Sequence, residues 1–409
     1  MRILIATSHR NLVGGVEKYL QAVIPGLLNQ GHEIALLHEN RFDAKHESID
    51  DSTSPAWCAA ELGMESALHS VAKWKPCVVY CHGLELSGLE DALLNAYPTV
   101  LYAHNYYGTC ISGTKCHSSP HASPCARRFG PSCLLLYYPR RCGGLHPGTM
   151  WGMFRRQSRL NSGLPRFRSV LVASRHMLHE FQQNGVSRDK LYLVPLPATD
   201  MIPQPVAPTR GRPQGRILFV GRLTGLKGVD YLIKALSKVA EKIGRVTLTI
   251  AGEGPERQRL ADLANRLGIE AEFTGWLQTQ RKLDLIRQAD LLAVPSLWPE
   301  PFGLVGLEAG SLGLPAVGYA VGGIPDWLIP GRSGELAPGD PPTVDGLTQA
   351  IIRALADPDH YATLCRGAWE TAAQFTMEAH LAKLEPILRA AGQLNSSRDL
   401  NVEGEHVHA

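Results

Sequence analysis

Twice in this chain an apolar strand runs into a glycine-bearing turn and then a helix. The first copy is residues 2–8, followed by His9-Arg10-Asn11-Leu12-Val13-Gly14-Gly15-Val16-Glu17 and an amphipathic stretch to about Gln30. The second is Arg216-Ile217-Leu218-Phe219-Val220, followed by Gly221-Arg222-Leu223-Thr224-Gly225-Leu226-Lys227-Gly228 and a helical pattern over 229–243. Strands that are apolar without alternation are covered on both faces, as in a central parallel sheet. Further strands are expected at 33–38, 77–81, 99–104, 169–174 and 190–194, and again at 245–251, 271–274, 291–294 and 314–319. Helical segments lie between several of them, including 56–74 and 175–184. Repeated β–α alternation predicts an α/β protein built on doubly wound parallel sheets.

Between Pro195 and Gly215 the chain is Pro-rich and poor in structural pattern, and 409 residues suit two domains. The expected organisation is a first domain over 1–200, a linker over 201–215 and a second domain over 216–392. The last helical segment is expected to pack back on the first domain, with a disordered tail over 393–409.

Sheets of this class bind ligands at the carboxyl ends of their strands. In the first half, His82, His104 and Asn105 fall there, and His104 ends the apolar run Val100-Leu101-Tyr102-Ala103. Gly14-Gly15 before a helix leaves backbone N–H groups open to an anion. The pattern is not G-x-G-x-x-G, which disfavours a nicotinamide cofactor. In the second half, Arg222 and Lys227 leave one strand end together, a guanidinium and an ammonium suited to clamp a diphosphate. Gly252-Glu253-Gly254-Pro255 and Gly275-Trp276 end two further strands, where backbone groups can hold a base. The stretch Glu300-Pro301-Phe302-Gly303-Leu304-Val305-Gly306-Leu307-Glu308 turns from a strand into a helix. It offers two carboxylates for hydroxyl groups and helix-start N–H groups for phosphate. The plain alternatives are surface cations, solvated carboxylates and a satisfied structural histidine.

From Tyr106 to Gly144 the periodicity stops, and Cys110, Cys116, Cys125, Cys133 and Cys142 sit among Gly, Pro, Ser and Arg. A loop of this length is normally functional or cross-linked. Its thiols could hold a structural zinc or an iron–sulfur cluster, with His117 or His121 as extra ligands. Free or redox-active thiols and disulfides are the other readings. The net charge of +3 hides an uneven distribution: no Asp or Glu occurs between residues 92 and 179, which carry Lys115 and ten arginines. Such a window suits an anionic partner, a phosphorylated acceptor or an anionic membrane surface. No recognised nucleic-acid module is present. The first residues have no signal-peptide pattern and no run approaches a membrane span. The expected location is cytoplasmic, peripheral on the inner face of the membrane.

With Gly-Gly in the first half, Gly-Arg…Lys-Gly in the second and Glu-x7-Glu after a strand, the chain resembles a GT-B fold glycosyltransferase. It is most similar to family 4, the retaining nucleotide-sugar enzymes also called glycosyl transferases group 1. The resemblance is strongest over 216–335 and weaker over the first 200 residues. It implies two Rossmann-like domains facing each other across a cleft. It further implies a nucleotide-diphosphate sugar donor, a glycan or lipid-linked acceptor, and no cofactor for catalysis. Arg222 and Lys227 would neutralise the donor diphosphate, and Glu308 would bind the ribose. Glu300 with the N–H groups of Phe302, Gly303 and Leu304 would hold the sugar and β-phosphate. Gly14 and Gly15 would approach the same diphosphate, Glu253 would stand near the base, and His104 would contact the transferred sugar. Asp326 stands where many relatives carry Glu. No Asp-x-Asp motif stands out for a nucleotide-bound metal. A nucleotide-sugar epimerase of the same architecture and a non-catalytic sugar-nucleotide-binding subunit are the alternatives.

Overall fold

The computed structural model describes residues 1–12, 14–43, 47–49, 55–198 and 210–402. They form two units, one of residues 1–109, 155–198 and 377–402, the other of 110–154 and 210–376. Most of the expected linker, 201–209, lies outside the described residues.

The first unit is a seven-stranded sheet. Its strands are β1 (Arg2–Thr7), β2 (Glu33–His38), β3 (Ala56–Cys58), β4 (Val78–Cys81), β5 (Thr99–Ala103), β8 (Ser169–Val172) and β9 (Leu191–Leu193). A two-stranded ribbon, β6 (Cys116–His117) with β7 (Ser123–Pro124), belongs to the insert of the second unit. The order is β3-β2-β1-β4-β5-β8-β9, with every pair parallel. Strand β1, inside the sheet, is sealed, with Ile3, Leu4 and Ile5 fully buried, which is why its sequence does not alternate. The second unit repeats the plan with β10 (Arg216–Val220), β11 (Thr247–Ala251), β12 (Glu270–Gly275), β13 (Leu291–Val294), β14 (Ala316–Tyr319) and β15 (Gly334–Ala337). Its order is β12-β11-β10-β13-β14-β15, again all parallel. In each sheet the winding reverses beside the first strand, between β1 and β4 and between β10 and β13. Such a reversal splays the two following loops apart and opens a crevice at the strand ends.

Four expectations change. Residues 56–74 are not one helix: Ala56–Cys58 pairs with β2 as an edge strand, and Gly63, at φ +78°, breaks the following turn from the Met64–Trp74 helix. The short strand β15 has too few apolar positions to stand out in the sequence. The final helix runs Met377–Val402 and groups with the first unit. It passes through residues 393–402, expected to be disordered, because that segment holds neither Pro nor Gly to stop it; residues 403–409 lie outside the described residues. Lastly, the cysteine-bearing segment, expected to belong to the first domain, groups with the second unit.

Candidate functional site

The reversal between β10 and β13 places two loops side by side. Leu297 donates its N–H to Leu226 O at 2.8 Å, which joins them. Gly228, at φ +66°, lies so close to the β13 end that a Cβ would stand 2.0 Å from Pro295 O. Only glycine allows both that backbone and that approach. The loop after β14 closes from the other side, with Gly323 N–H on Glu300 O at 2.7 Å.

These contacts set the side chains. Lys227 Nζ stands 2.6 Å from Glu300 Oε1. The same oxygen accepts from Ser296 Oγ at 2.5 Å and Trp298 Nε1 at 3.1 Å, and Lys227 also lies 5.7 Å from the Trp298 ring centroid. Glu300 is buried at 7% exposure. A buried carboxylate is tolerated when charge and donors compensate it; here three donors converge on one oxygen. Arg222, from the same loop as Lys227, is exposed, and its guanidinium has no partner among the described residues. The two cations expected to act as a clamp therefore differ: one is held in place, the other reaches into solvent.

Phe302, Gly303 and Leu304 lead into the Val305–Ser311 helix, with Phe302 O accepting from Trp327 Nε1 at 2.7 Å. Glu308 faces inward from that helix, and its Oε2 stands 2.8 Å from Lys282 Nζ. Lys282 comes from the Thr279–Gln288 helix. Sequence reasoning passes over it, since one lysine in an amphipathic helix gives no signal. It also misses Ser296 and Trp298, though both stand next to the Glu-x7-Glu motif. Glu253 lies at the β11 end in a loose pair with Arg257, 3.6 Å apart and half exposed. Asp326 sits in the short 3-10 turn Ile324–Asp326. One Asp-x-Asp pattern does occur, at Asp357-Pro358-Asp359. It is a helix cap: Asp357 Oδ1 accepts from the N–H groups of Asp359 and His360.

In the first unit, His104 follows β5 with its ring packed against those of Tyr19, His82 and Tyr102, and His82 follows β4 and is buried. His82 Nδ1 and His104 Nε2 are 2.9 Å apart. His82 Nε2 is buried with no partner among the described residues. A buried N–H without an acceptor is rarer and costlier than a bare lone pair, so the His82 proton sits on Nδ1 and is donated to His104. His104 then carries its own proton on Nδ1. Burial holds His104 at about 3, with His380 adding to the effect, so the ring is neutral near pH 7. Behind it, His380 Nδ1 donates to Pro195 O at 2.7 Å, and its Nε2 accepts from Tyr19, whose hydroxyl is 2.6 Å from that of Tyr80. Glu39 ties down the loop after His82 by accepting from the N–H groups of Glu85 and Leu86. Asn105 is exposed.

Gly14 precedes the Gly15–Asn29 helix. A Cβ on Gly15 would meet nothing within 4 Å, and one on Gly14 only the Glu17 carboxylate. Packing does not demand glycine here. The anion position at this helix start is filled by Glu17, whose carboxylate takes backbone N–H groups of Gly14 and Glu17 and is raised in pKa by burial.

Among the described residues no group of three or more His, Cys, Asp or Glu is placed to hold a metal ion. All nine cysteines are free thiols, and the five of the insert lie near enough to act on one another's charge, Cys116 with Cys110, Cys125 and Cys142, and Cys125 with Cys133. Cys110 Sγ accepts from Lys115 N–H at 3.3 Å. The Cys116 thiol, pushed up to about 12 chiefly by burial, points to Leu297 O at 3.7 Å, against the loop that carries Glu300. Cys133 and Cys142 pack on a small core of Ile111, Phe129 and Tyr137.

Residues 208–370 match the family model described as glycosyl transferases group 1. A glycogen synthase of Mycobacterium tuberculosis is 37% identical over 178 residues, 41% of this chain and 42% of that protein. A D-inositol 3-phosphate glycosyltransferase of Kribbella flavida is 33% identical over 190 residues, 41% of this chain and 44% of that protein. The matches thus span less than half the length of these curated relatives. Among solved structures, sucrose-phosphate synthase from Thermosynechococcus elongatus superposes with a TM-score of 0.71 over 97% of this chain and 100% of that one, at 20% identity. An Anabaena protein solved in complex with UDP and glucose superposes with a TM-score of 0.64 over 95% of this chain and 100% of that one, at 19% identity. Residues 208–370, in the second unit, thus match the glycosyl transferases group 1, and the two doubly wound units share the GT-B fold of these solved structures.

Proposed function

We propose that the chain is a retaining, family 4 glycosyltransferase. It moves a hexosyl unit from a nucleotide-diphosphate sugar to a hydroxyl of a glycan or lipid-linked acceptor, in polysaccharide or glycolipid biosynthesis at an anionic membrane surface. The observation that carries this reading is the cluster at the β10/β13 reversal. Lys227 lies on Glu300, Arg222 stands free on the same loop, and Glu308 lies on the helix that follows. The Anabaena neighbour holds UDP and glucose, which supports a nucleotide-sugar donor here.

On this reading Arg222 and Lys227 stabilise the charge that develops on the departing diphosphate. Fixed cations of this kind are usually the largest single contribution to such a rate. Glu308 takes the ribose hydroxyls. Glu300 and the N–H groups of Phe302, Gly303 and Leu304 take the sugar and β-phosphate, with Glu253 near the base. His104, neutral and protonated on Nδ1, is too weak a base to take a proton from an acceptor hydroxyl. The acceptor oxygen bonds to C1 as the C1–O bond to phosphate breaks, and the acceptor proton passes to the leaving phosphate oxygen. No cofactor enters these steps.

The test is a screen of UDP-, GDP- and ADP-sugars for hydrolysis and for transfer to lipid-linked acceptors. One donor is expected to be hydrolysed slowly and transferred faster. Lys227→Ala and Glu308→Ala are each expected to lower donor use by about 10²–10³. Wild-type rates in both variants would refute the site, and isomerisation of the sugar without an acceptor would refute the reaction class.

A further inference from the structure

The insert folds on a core of its own, and that core consumes only one side of its helices. In the Ser132–Leu136 helix and the turn that continues it, Leu134 and Tyr137 face inward, and Tyr137 is fully buried. In the Pro147–Gly163 helix, Met150, Met153 and Phe154 do the same. Residues three and four apart share a helix face, so the remaining positions look outward. They are not polar. Leu135 and Leu145 are each 79% exposed, Trp151 is 52% exposed and Tyr138 is 37% exposed. Exposed Arg128 and Arg141 stand in the same segment, inside the window that has no Asp or Glu.

Large apolar side chains left in water, interleaved with arginine in a stretch that has no carboxylate of its own, match one environment: the headgroup region of an anionic bilayer. Leu and Trp enter the acyl boundary there, while arginine guanidinium groups reach phosphate. A nucleic acid would use the arginines but would have no role for Leu135 and Leu145, which neither stack nor read base edges. We propose that these exposed apolar and basic side chains of the insert form an interfacial anchor that seats the protein on an anionic lipid surface. The proposal rests on the proposed transfer to a lipid-linked acceptor, but it is measured without any transfer reaction.

The experiment is co-sedimentation of the full chain with phosphatidylcholine vesicles, with and without phosphatidylglycerol, at low and high salt. Two variants accompany the wild type: Leu135→Ser/Leu145→Ser/Trp151→Ser and Arg128→Gln/Arg141→Gln. All five positions are exposed, and donor hydrolysis checks that each variant remains folded. The wild type is expected to bind only the anionic vesicles and to be released by salt. The apolar triple variant is expected to partition at least about tenfold more weakly, with its donor hydrolysis unchanged. The arginine variant should lose affinity and part of its salt dependence. Failure of the wild type to sediment, equal sedimentation by the triple variant, or binding equally to vesicles with and without phosphatidylglycerol would each overturn the proposal. Vesicle binding through these side chains in a chain that hydrolyses no nucleotide sugar would leave the anchor standing and sink the functional reading instead.

Discussion

The coupling between Lys227 and Glu300 is open to a direct measurement. Their side chains are 27% and 9% exposed and 2.6 Å apart, so neither charge is fully relieved by water. Breaking a buried pair by removing one partner typically costs about 3–5 kcal/mol. Here the cost of Lys227→Met should be less, about 2 kcal/mol, because Ser296 and Trp298 still donate to the same oxygen and a hydrogen bond to a charged group is worth about 1.5–3 kcal/mol. Glu300→Gln keeps the shape and leaves Lys227 a route to solvent, so about 1 kcal/mol is expected. In the double variant no buried charge is left alone, and its loss should fall short of the sum of the single losses by about 1 kcal/mol or more. Calorimetry of the four proteins at pH 7 reads this. In a unit of this size 1 kcal/mol shifts the transition by about 2–4 °C, so Lys227→Met should melt roughly 4–8 °C early. Single-variant shifts that simply add in the double variant would refute the pairing.

Two further expectations concern the first unit. His380 is buried and held at about 4, mainly by desolvation. Its neutral form is therefore the native one, and between pH 6.5 and 4 the unfolded chain binds the extra proton. Stability should fall as pH drops through that window, by up to about 1.4 kcal/mol per pH unit. Neighbours facing this ring are Tyr19, Tyr102 and His104, and the last shares the same direction. Thermal melts at pH 7, 6 and 5 should show the slope, and His380→Gln should flatten it; an unchanged slope would refute the assignment. Separately, long-range ¹⁵N NMR of the histidine rings should find His104 protonated on Nδ1. His82→Ala should let that proton redistribute, whereas His82→Asn, which can still donate, should preserve it. A proton on His104 Nε2 in the wild type would mean that His104 is the donor and His82 the acceptor, the reverse of the expected direction.

The sheets were legible because their physics is local. An apolar strand followed by a glycine turn announces itself at Arg2–Thr7 and again at Arg216–Val220, and burial on both faces is why neither alternates. The edges were less legible. Ala56–Cys58 and Gly334–Ala337 are short, and their assignment depends on the neighbour they pair with, which no local pattern encodes. The fate of residues 393–402 had the opposite cause: their polarity suggested disorder, while the absence of any breaker let the preceding helix continue through them.

The site shows the same division more sharply. Arg222, Lys227, Glu300 and Glu308 can be singled out as candidates because strand ends in a doubly wound sheet are where ligands bind, and strand ends can be read from sequence. Their partners could not be found that way. Lys227 and Glu300 are 73 positions apart and Lys282 and Glu308 are 26 apart; only the sheet order, with β10 beside β13, makes the first two neighbours. That order also changes what the residues do. Read singly, Lys227 is a free cation awaiting phosphate. In the folded unit it already bears on a buried carboxylate, so on the proposed function a donor phosphate would share the ammonium with Glu300, while the unpaired Arg222 would meet the phosphate at no such cost. If the proposal holds, Arg222 is therefore the cation suited to first capture of the donor, and Lys227 the one whose position is fixed in advance for the charge that appears when the bond breaks.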